Sequence, residues 1–421
     1  MRADELRASG ALLGTELDGV TVLVRDVHRA VATRVFGLFG AAAVPARLMH
    51  DGIAAIAYSA TRVGVRVVPP VVGAGIAASR DGATASAHDV PKQRFALGAL
   101  NGFRGDRLAA TRAHRPLATS MRVRTHDGPL RRITPNVAFD AREAATPKIV
   151  VFVHGLCETD LCWWFGAARH WGDAGATFGS KLRDDEGWTP LYVHYNSGLH
   201  VSANGRELSA QLESLVDQWP VRLDEIALVG HSMGGLVVRS AAHQANEARL
   251  RWVRSLTHVV GLGAPHLGAP LERLVSRGTH AMSRRPETKP FADWLNRRSV
   301  GIKDLRHGAF LEADWQGFDP DTCLDDRCTD AALLPGVLYS MASATLSARP
   351  DGVWAHDLLV QRASAHGVGP ARSIPFDPQR TFHIGGKHHF DLLCDPLVYA
   401  KLREWLGQSA VTTSRVAGQT S

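Results

Sequence analysis

The residues best suited to chemistry stand at Gly230-His231-Ser232-Met233-Gly234, with Gly235 directly after. A serine hydroxyl is a weak nucleophile until a neighbouring base takes its proton, so it must be held where a base can reach it. The local context supplies that exposure. An apolar run, Glu225–Val229, precedes the motif and a helical stretch, LVVRSAAHQA, follows it. So tight a turn between strand and helix leaves no room for side chains beside the serine, which is why glycines flank it. Ser232 is therefore expected at the carboxyl end of a strand, near the positive end of the next helix. The plain alternative is a glycine-rich turn with an incidental serine. The second motif argues against it.

That second motif is Val153-His154-Gly155-Leu156, at the end of the apolar run Lys148–Val153. Acyl transfer through a serine builds a negatively charged oxygen, which backbone N–H groups already aimed at it can stabilise. One such donor follows the nucleophile, here Met233. The other comes from the loop after an earlier strand, here Leu156, with Cys157 as a fallback. His154 is expected to brace this loop with Gly155 and not to act as the base.

Four segments carry a family resemblance: VHGLCETDLCWW, YNSG with NGREL, VGHSMGGLVVRSA and GLGAPHLGAPLE. They resemble the α/β-hydrolase superfamily, in particular lipase- and esterase-like bacterial proteins akin to the lipase-like domain of GPI inositol-deacylases. The resemblance spans about residues 119–408. It implies a Ser–acid–His triad in that chain order and no cofactor; no metal is expected, since the spacing of His383, His388, His389 and Asp391 is not a recognisable ligand set. Two histidines stand where the base should be, before Leu392-Leu393 and the final helix. His389 fits best and His388 is the runner-up, while His383 falls inside a strand and reads as structural. The acid should follow the run Val337–Ala342. Asp357, in Asp357-Leu358-Leu359-Val360 with Ser364-Ala365 downstream, matches the family segment better than Asp351-Gly352-Val353. Leu358 departs from the usual glycine, so Asp351 stays open. The loop Gly263-Ala264-Pro265-His266-Leu267-Gly268 is similar to one that lines lipase sites, which gives Pro265 and His266 supporting roles beside Gly230, His231 and Gly234. The resemblance thus implies a carboxylic ester hydrolase acting on small-molecule or lipid-like acyl esters. A thioesterase or amidase would use the same groups, and a non-catalytic binding protein on this fold is the remaining alternative.

Positioning these residues requires a layered α/β domain. Short apolar runs recur at 148–153, 188–194, 225–229, 256–262, 337–342 and 381–384, with helical patterns at 204–218, 233–245 and 396–406 between them. Continuous rather than alternating apolar runs suit strands buried on both faces, and strand–helix repetition suits a doubly wound, mostly parallel sheet. The irregular, arginine-bearing stretch of about 271–335 is expected to form a helical cap on the catalytic domain. Its Cys323 and Cys328 are expected as thiols. Residues 409–421 read as a flexible tail.

The first 118 residues form a separate helical region with no assigned role. Val24–Leu38 and Leu48–Val63 carry apolar residues at helical spacing, which suits packing on the main domain or peripheral contact with a membrane. SRDGATASAH (79–88) reads as a linker, and a further helix is expected near 93–113. The start MRADELRASG lacks a secretory pattern, and no apolar run reaches the about 20 residues a membrane span needs, so a cytoplasmic location is expected. Of 421 residues, 45% are hydrophobic and 21% charged, which excludes disorder as the main state. A net charge of +7 over that length does not argue for a nucleic-acid partner.

Overall fold

The computed structural model describes residues 1–38, 40–79, 85–135, 145–329, 331–347, 357 and 359–408. Asp351, Leu358, the proposed tail 409–421 and residues 80–84 of the 79–88 linker lie outside the described residues. The chain forms two compact units, one of residues 1–119, 273–299 and 318–325, the other of 120–272, 300–317 and 326–421.

The first unit is built on three helices, α1 (Ala3–Leu38), α2 (Val44–Ala78) and α3 (Pro91–Ala110). Helices α1 and α2 pack along a seam of glycines and prolines. A Cβ on Gly10 would stand 2.5 Å from the Pro69 carbonyl oxygen, so only glycine permits this approach. Asp18 then ties the helices electrostatically, accepting from Arg62 at 2.7 Å and Arg66 at 2.7 Å. Other apolar side chains of the two helices stay in solvent. Leu13, Leu17, Val20, Val24, Val31, Val35 and Leu38 are exposed on α1, as are Leu48, Met49, Ile53, Ile56 and Val63 on α2. Among the described residues, no helix is long and apolar enough to cross a membrane.

Of the stretch 271–335 expected to cap the catalytic domain, residues 273–299 and 318–325 belong to this helical unit. Arg34 pairs with Glu287 at 2.8 Å, the Ser299 hydroxyl donates to the Gly102 carbonyl at 2.5 Å, and Arg104 donates to the carbonyl of Arg297.

The second unit holds a seven-stranded sheet in the order β1-β3-β2-β4-β5-β6-β7. The strands are β1 (Arg122–Thr125), β2 (Lys148–Val153), β3 (Thr189–His194), β4 (Glu225–His231), β5 (Leu256–Leu262), β6 (Leu338–Thr345) and β7 (Thr381–Gly385). β1 runs antiparallel to β3 and every other pair is parallel. Strands β2 to β7 match the expected runs to within a few residues. β1 was not among them: RVRT is four residues long, has Val123 as its one apolar side chain, and sits at the sheet edge. Helices Val201–Gln218 and Met233–Glu247 flank one face of the sheet and Pro396–Leu406 the other, burying two apolar layers. After β2 the chain steps outward to β3 and returns to β4, so the strand order reverses between β2 and β4. Crevices at such reversal points, at the strands' carboxyl ends, are where open α/β sheets place their sites.

Candidate active site

β2 and β4 lie side by side with Val153 opposite Gly230, so the loop after β2 meets the turn after β4. The glycines there are needed for space. A Cβ on Gly234 would stand 2.2 Å from the Val153 carbonyl oxygen, and one on Gly155 would stand 2.8 Å from Ser232 Cβ. Ser232 itself takes φ 53° and ψ −124°, a region L-residues rarely occupy. Its N–H donates to the Leu262 carbonyl at 2.9 Å, and its own carbonyl accepts from Gly235 N–H at 3.0 Å. The helix Met233–Glu247 starts at the next residue, which sets the Met233 N–H at that helix's positive end.

His389 reaches the same corner from the other direction. A Cβ on Gly263 would stand 2.8 Å from His389 Cε1, and Gly263 directly follows Leu262, the acceptor of Ser232 N–H. His389 Nδ1–H donates to Asp357 Oδ2 at 2.5 Å. That bond fixes the tautomer and leaves Nε2 as the basic nitrogen. Nε2 is buried without a hydrogen-bond partner among the described residues.

Asp357 is held from every side. Its Oδ1 accepts from the N–H groups of Val360 at 2.7 Å and Leu359 at 3.0 Å, and its carbonyl accepts from His389 N–H at 3.2 Å. Burial alone would raise the carboxyl's pKa. The bond and charge of His389 and the two amides outweigh that and hold it below its ordinary value.

The other histidines do different work. His388 caps the turn His389–Leu393, with its half-exposed ring 3.5 Å from Asp391. His383 lies in β7 between the hydroxyls of Ser343 at 3.0 Å and Thr345 at 3.1 Å. Buried His154 donates Nδ1–H to the Gly155 carbonyl at 2.8 Å and accepts the Tyr195 N–H on Nε2 at 3.3 Å. Burial lowers its pKa, so it is a neutral brace.

His266 accepts from Arg239 at 3.2 Å and faces Met341 sulfur, and burial followed by the Arg239 charge keeps it neutral. Around it, the Pro265 carbonyl accepts Gly268 N–H at 2.9 Å, and Ser364 clasps the loop by accepting from Leu267 N–H at 3.1 Å and donating to the Gly268 carbonyl at 2.7 Å. The N–H of Cys157, the fallback donor, is engaged by the Ser197 hydroxyl at 3.1 Å.

One buried residue escaped the sequence. Glu158, in the loop after β2, accepts from Gly155 N–H at 2.7 Å and pairs with His231 at 2.9 Å. Its signal was an acid three residues after Gly155, facing a motif histidine 73 positions away. Among the described residues, no group of three or more potential metal ligands gathers.

The strand order, the reversal between β2 and β4 and the strained serine turn at the end of β4 make the second unit an α/β-hydrolase fold. The family model described as the PGAP1-like alpha/beta domain matches residues 146–322. That match takes in the Gly155 loop and the Ser232 turn and ends before Asp357 and His389. No curated protein matches the chain. Solved structures similar to it include a Bacillus licheniformis lipase in its mature form, at 17% identity and TM-score 0.38, over 65% of this chain and 96% of the other. An Aspergillus fumigatus lipase B matches at 14% identity and TM-score 0.36, over 62% and 53%. A thioesterase of the Streptomyces coelicolor prodiginine pathway matches at 18% identity and TM-score 0.33, over 64% and 96%.

Proposed function

We propose that the chain is a serine hydrolase of carboxylic esters, acting on small-molecule or lipid-like acyl esters through Ser232, His389 and Asp357. One observation carries the reading. A serine in a strained turn at the switch point shares its corner with a histidine whose free nitrogen is Nε2 and whose other nitrogen is bound to a buried carboxylate. In this reading His389 Nε2 takes the hydroxyl proton as Ser232 Oγ attacks the ester carbonyl. The N–H groups of Met233 and Leu156 receive the charge on the carbonyl oxygen. His389 returns the proton to the leaving alcohol, and water, activated by the same nitrogen, releases the acid. Asp357 keeps the tautomer and stabilises the imidazolium. No cofactor enters any step.

Labelling with a fluorophosphonate probe tests this. Wild type is expected to be labelled at Ser232, and Ser232→Ala to lose labelling together with ester turnover, by at least about 10⁴-fold. Labelling retained in the variant overturns the assignment. Matched p-nitrophenyl esters, thioesters and anilides of graded acyl length then read the leaving group.

The exposed apolar faces of α1 and α2 support a second part of the proposal, peripheral contact with a lipid surface. Residues 20–78 carry six arginines, two aspartates and no lysine, a balance that suits an anionic surface. The full chain is expected to co-sediment with anionic vesicles more than with zwitterionic ones. The triple variant Leu48→Gln, Ile53→Gln, Ile56→Gln is expected to weaken this about tenfold. Unchanged sedimentation of the variant refutes the contact.

A further inference from the structure

We infer that Glu158 and His231 are a charged positioning pair that locks the oxyanion loop to the backbone of the catalytic histidine. The inference rests on the triad reading above and adds two residues that the triad does not use.

The partners of the two ring nitrogens point to the pair's protonation. His231 Nδ1 lies 2.9 Å from a carboxylate oxygen of Glu158, an acceptor, so Nδ1 carries a proton. His231 Nε2 lies 3.3 Å from the His389 carbonyl oxygen, also an acceptor, so Nε2 carries a proton too. A histidine donating from both nitrogens is an imidazolium. Glu158 is the matching anion, since Oε2 also accepts the Gly155 N–H at 2.7 Å. His231 is fully buried and Glu158 nearly so.

The titration directions agree with this geometry. Burial would raise Glu158 and lower His231. Their mutual attraction wins on both, leaving Glu158 at about 2 and His231 above its ordinary value. The ionisable groups facing the pair are His154, Cys157, Cys162, Tyr195 and Asp357, with the His389 ring centred 4.6 Å from that of His231.

The pair spans three catalytic pieces. Glu158 anchors Gly155, the residue beside the proposed donor Leu156 and against Ser232 Cβ. His231 precedes the nucleophile in the chain. Its Nε2–H holds the main chain of the base. Moving any one piece moves the others, so the pair sets the distance between nucleophile, oxyanion donor and base. Positional tolerance at such centres is small: a displacement of about 1 Å can cost about 100-fold in rate.

Glu158→Gln isolates this role, because an amide keeps the shape and removes the charge. His231 then loses a proton at neutral pH, keeps Nδ1–H for the amide oxygen, and turns a lone pair toward the His389 carbonyl. Acid restores the missing donor. For p-nitrophenyl ester hydrolysis, kcat and the fluorophosphonate labelling rate are expected to fall about 30-fold or more near neutral pH, with KM within about threefold. The ratio of wild type to variant is expected to narrow as pH falls. A purely structural defect would not narrow with acid.

A single buried charge can unfold a protein, so the apolar double variant Glu158→Met, His231→Phe serves as the second probe, since it leaves no unpaired ion. It is expected to fold, to show the same kcat loss, and to show no acid recovery. Either variant within about threefold of wild type at every pH overturns the inference while leaving the triad standing, as does a Glu158→Gln loss that is constant with pH or falls on KM. A wild type that is neither labelled nor active overturns the triad reading and the inference with it.

Discussion

Valine and isoleucine are plentiful in both units, and the two units use them in opposite ways. In the sheet, Ile149, Val150, Val229 and Val260 are fully buried, whereas in α2 Ile53, Ile56 and Val63 stand 64%, 74% and 62% exposed. The difference lies in the partners. Each central strand is covered by a helical layer on both faces, so every side chain along it meets another. Helix α2 meets α1 along one seam only, and its β-branched residues gain nothing from the helical backbone that carries them. Composition therefore says how much apolar surface a segment owns, and only the packing says whether the molecule has used it.

That contrast is open to measurement. The largest effect belongs to the buried site. Asp357→Asn should lower kcat by about 10³–10⁴ by losing the tautomer, with the fold retained by circular dichroism. Asp351→Asn should leave kcat within about threefold, and the reverse outcome would move the acid to Asp351. Next comes the sheet interior. Leu228→Ala, at a fully buried position of β4, should cost about 2–5 kcal/mol in denaturant unfolding.

Acid and base should then separate the units more gently. Glu158 has a depressed folded pKa, so its stabilisation is complete above its unfolded value of 4.5 and disappears as pH falls toward about 2. His231 has a raised one, so its stabilisation is complete below 6.5 and disappears as pH rises through its folded value. The sheet unit's tryptophan near-UV signal should thus melt highest between pH 4.5 and 6.5 and lose stability on both sides. Asp18, pulled to about 2 by its bond to Arg62, gives the hairpin an acid limb only. A single-sided profile for the tryptophan signal would count against the buried charged pair. The smallest effect belongs to the hairpin surface, where Ile56→Ala should change stability by less than about 0.5 kcal/mol. A cost of 2 kcal/mol or more there would mean that the exposed face is covered in solution.

Much of the candidate site was legible because its signals are local. The turn at Ser232 announces itself in six consecutive residues between a strand and a helix, and His389 in its place before Leu392-Leu393. The candidate acid was harder: Asp351 and Asp357 are close neighbours in the sequence, Asp351 falls outside the described residues, and Asp357 stands out by its bonds to Leu359, Val360 and His389. Glu158 was illegible for a related reason: its partner is remote in sequence. The allegiance of residues 273–299 depends on pairings such as Arg34 with Glu287, and no periodicity records those. β1 failed differently, being too short and too charged to stand out.

The backbone at Ser232 has a consequence for how this chain can change. Among the described residues only Cys157, Ser232 and Arg249 carry a positive φ without being glycine, and two of the three flank the proposed chemistry. At position 232 stability and reactivity ask for different amino acids: glycine would relax the turn, and only a side chain bearing a nucleophile can use it. Under the chemistry proposed above, robustness and reactivity therefore pull this one position in opposite directions, which most of the sheet does not experience.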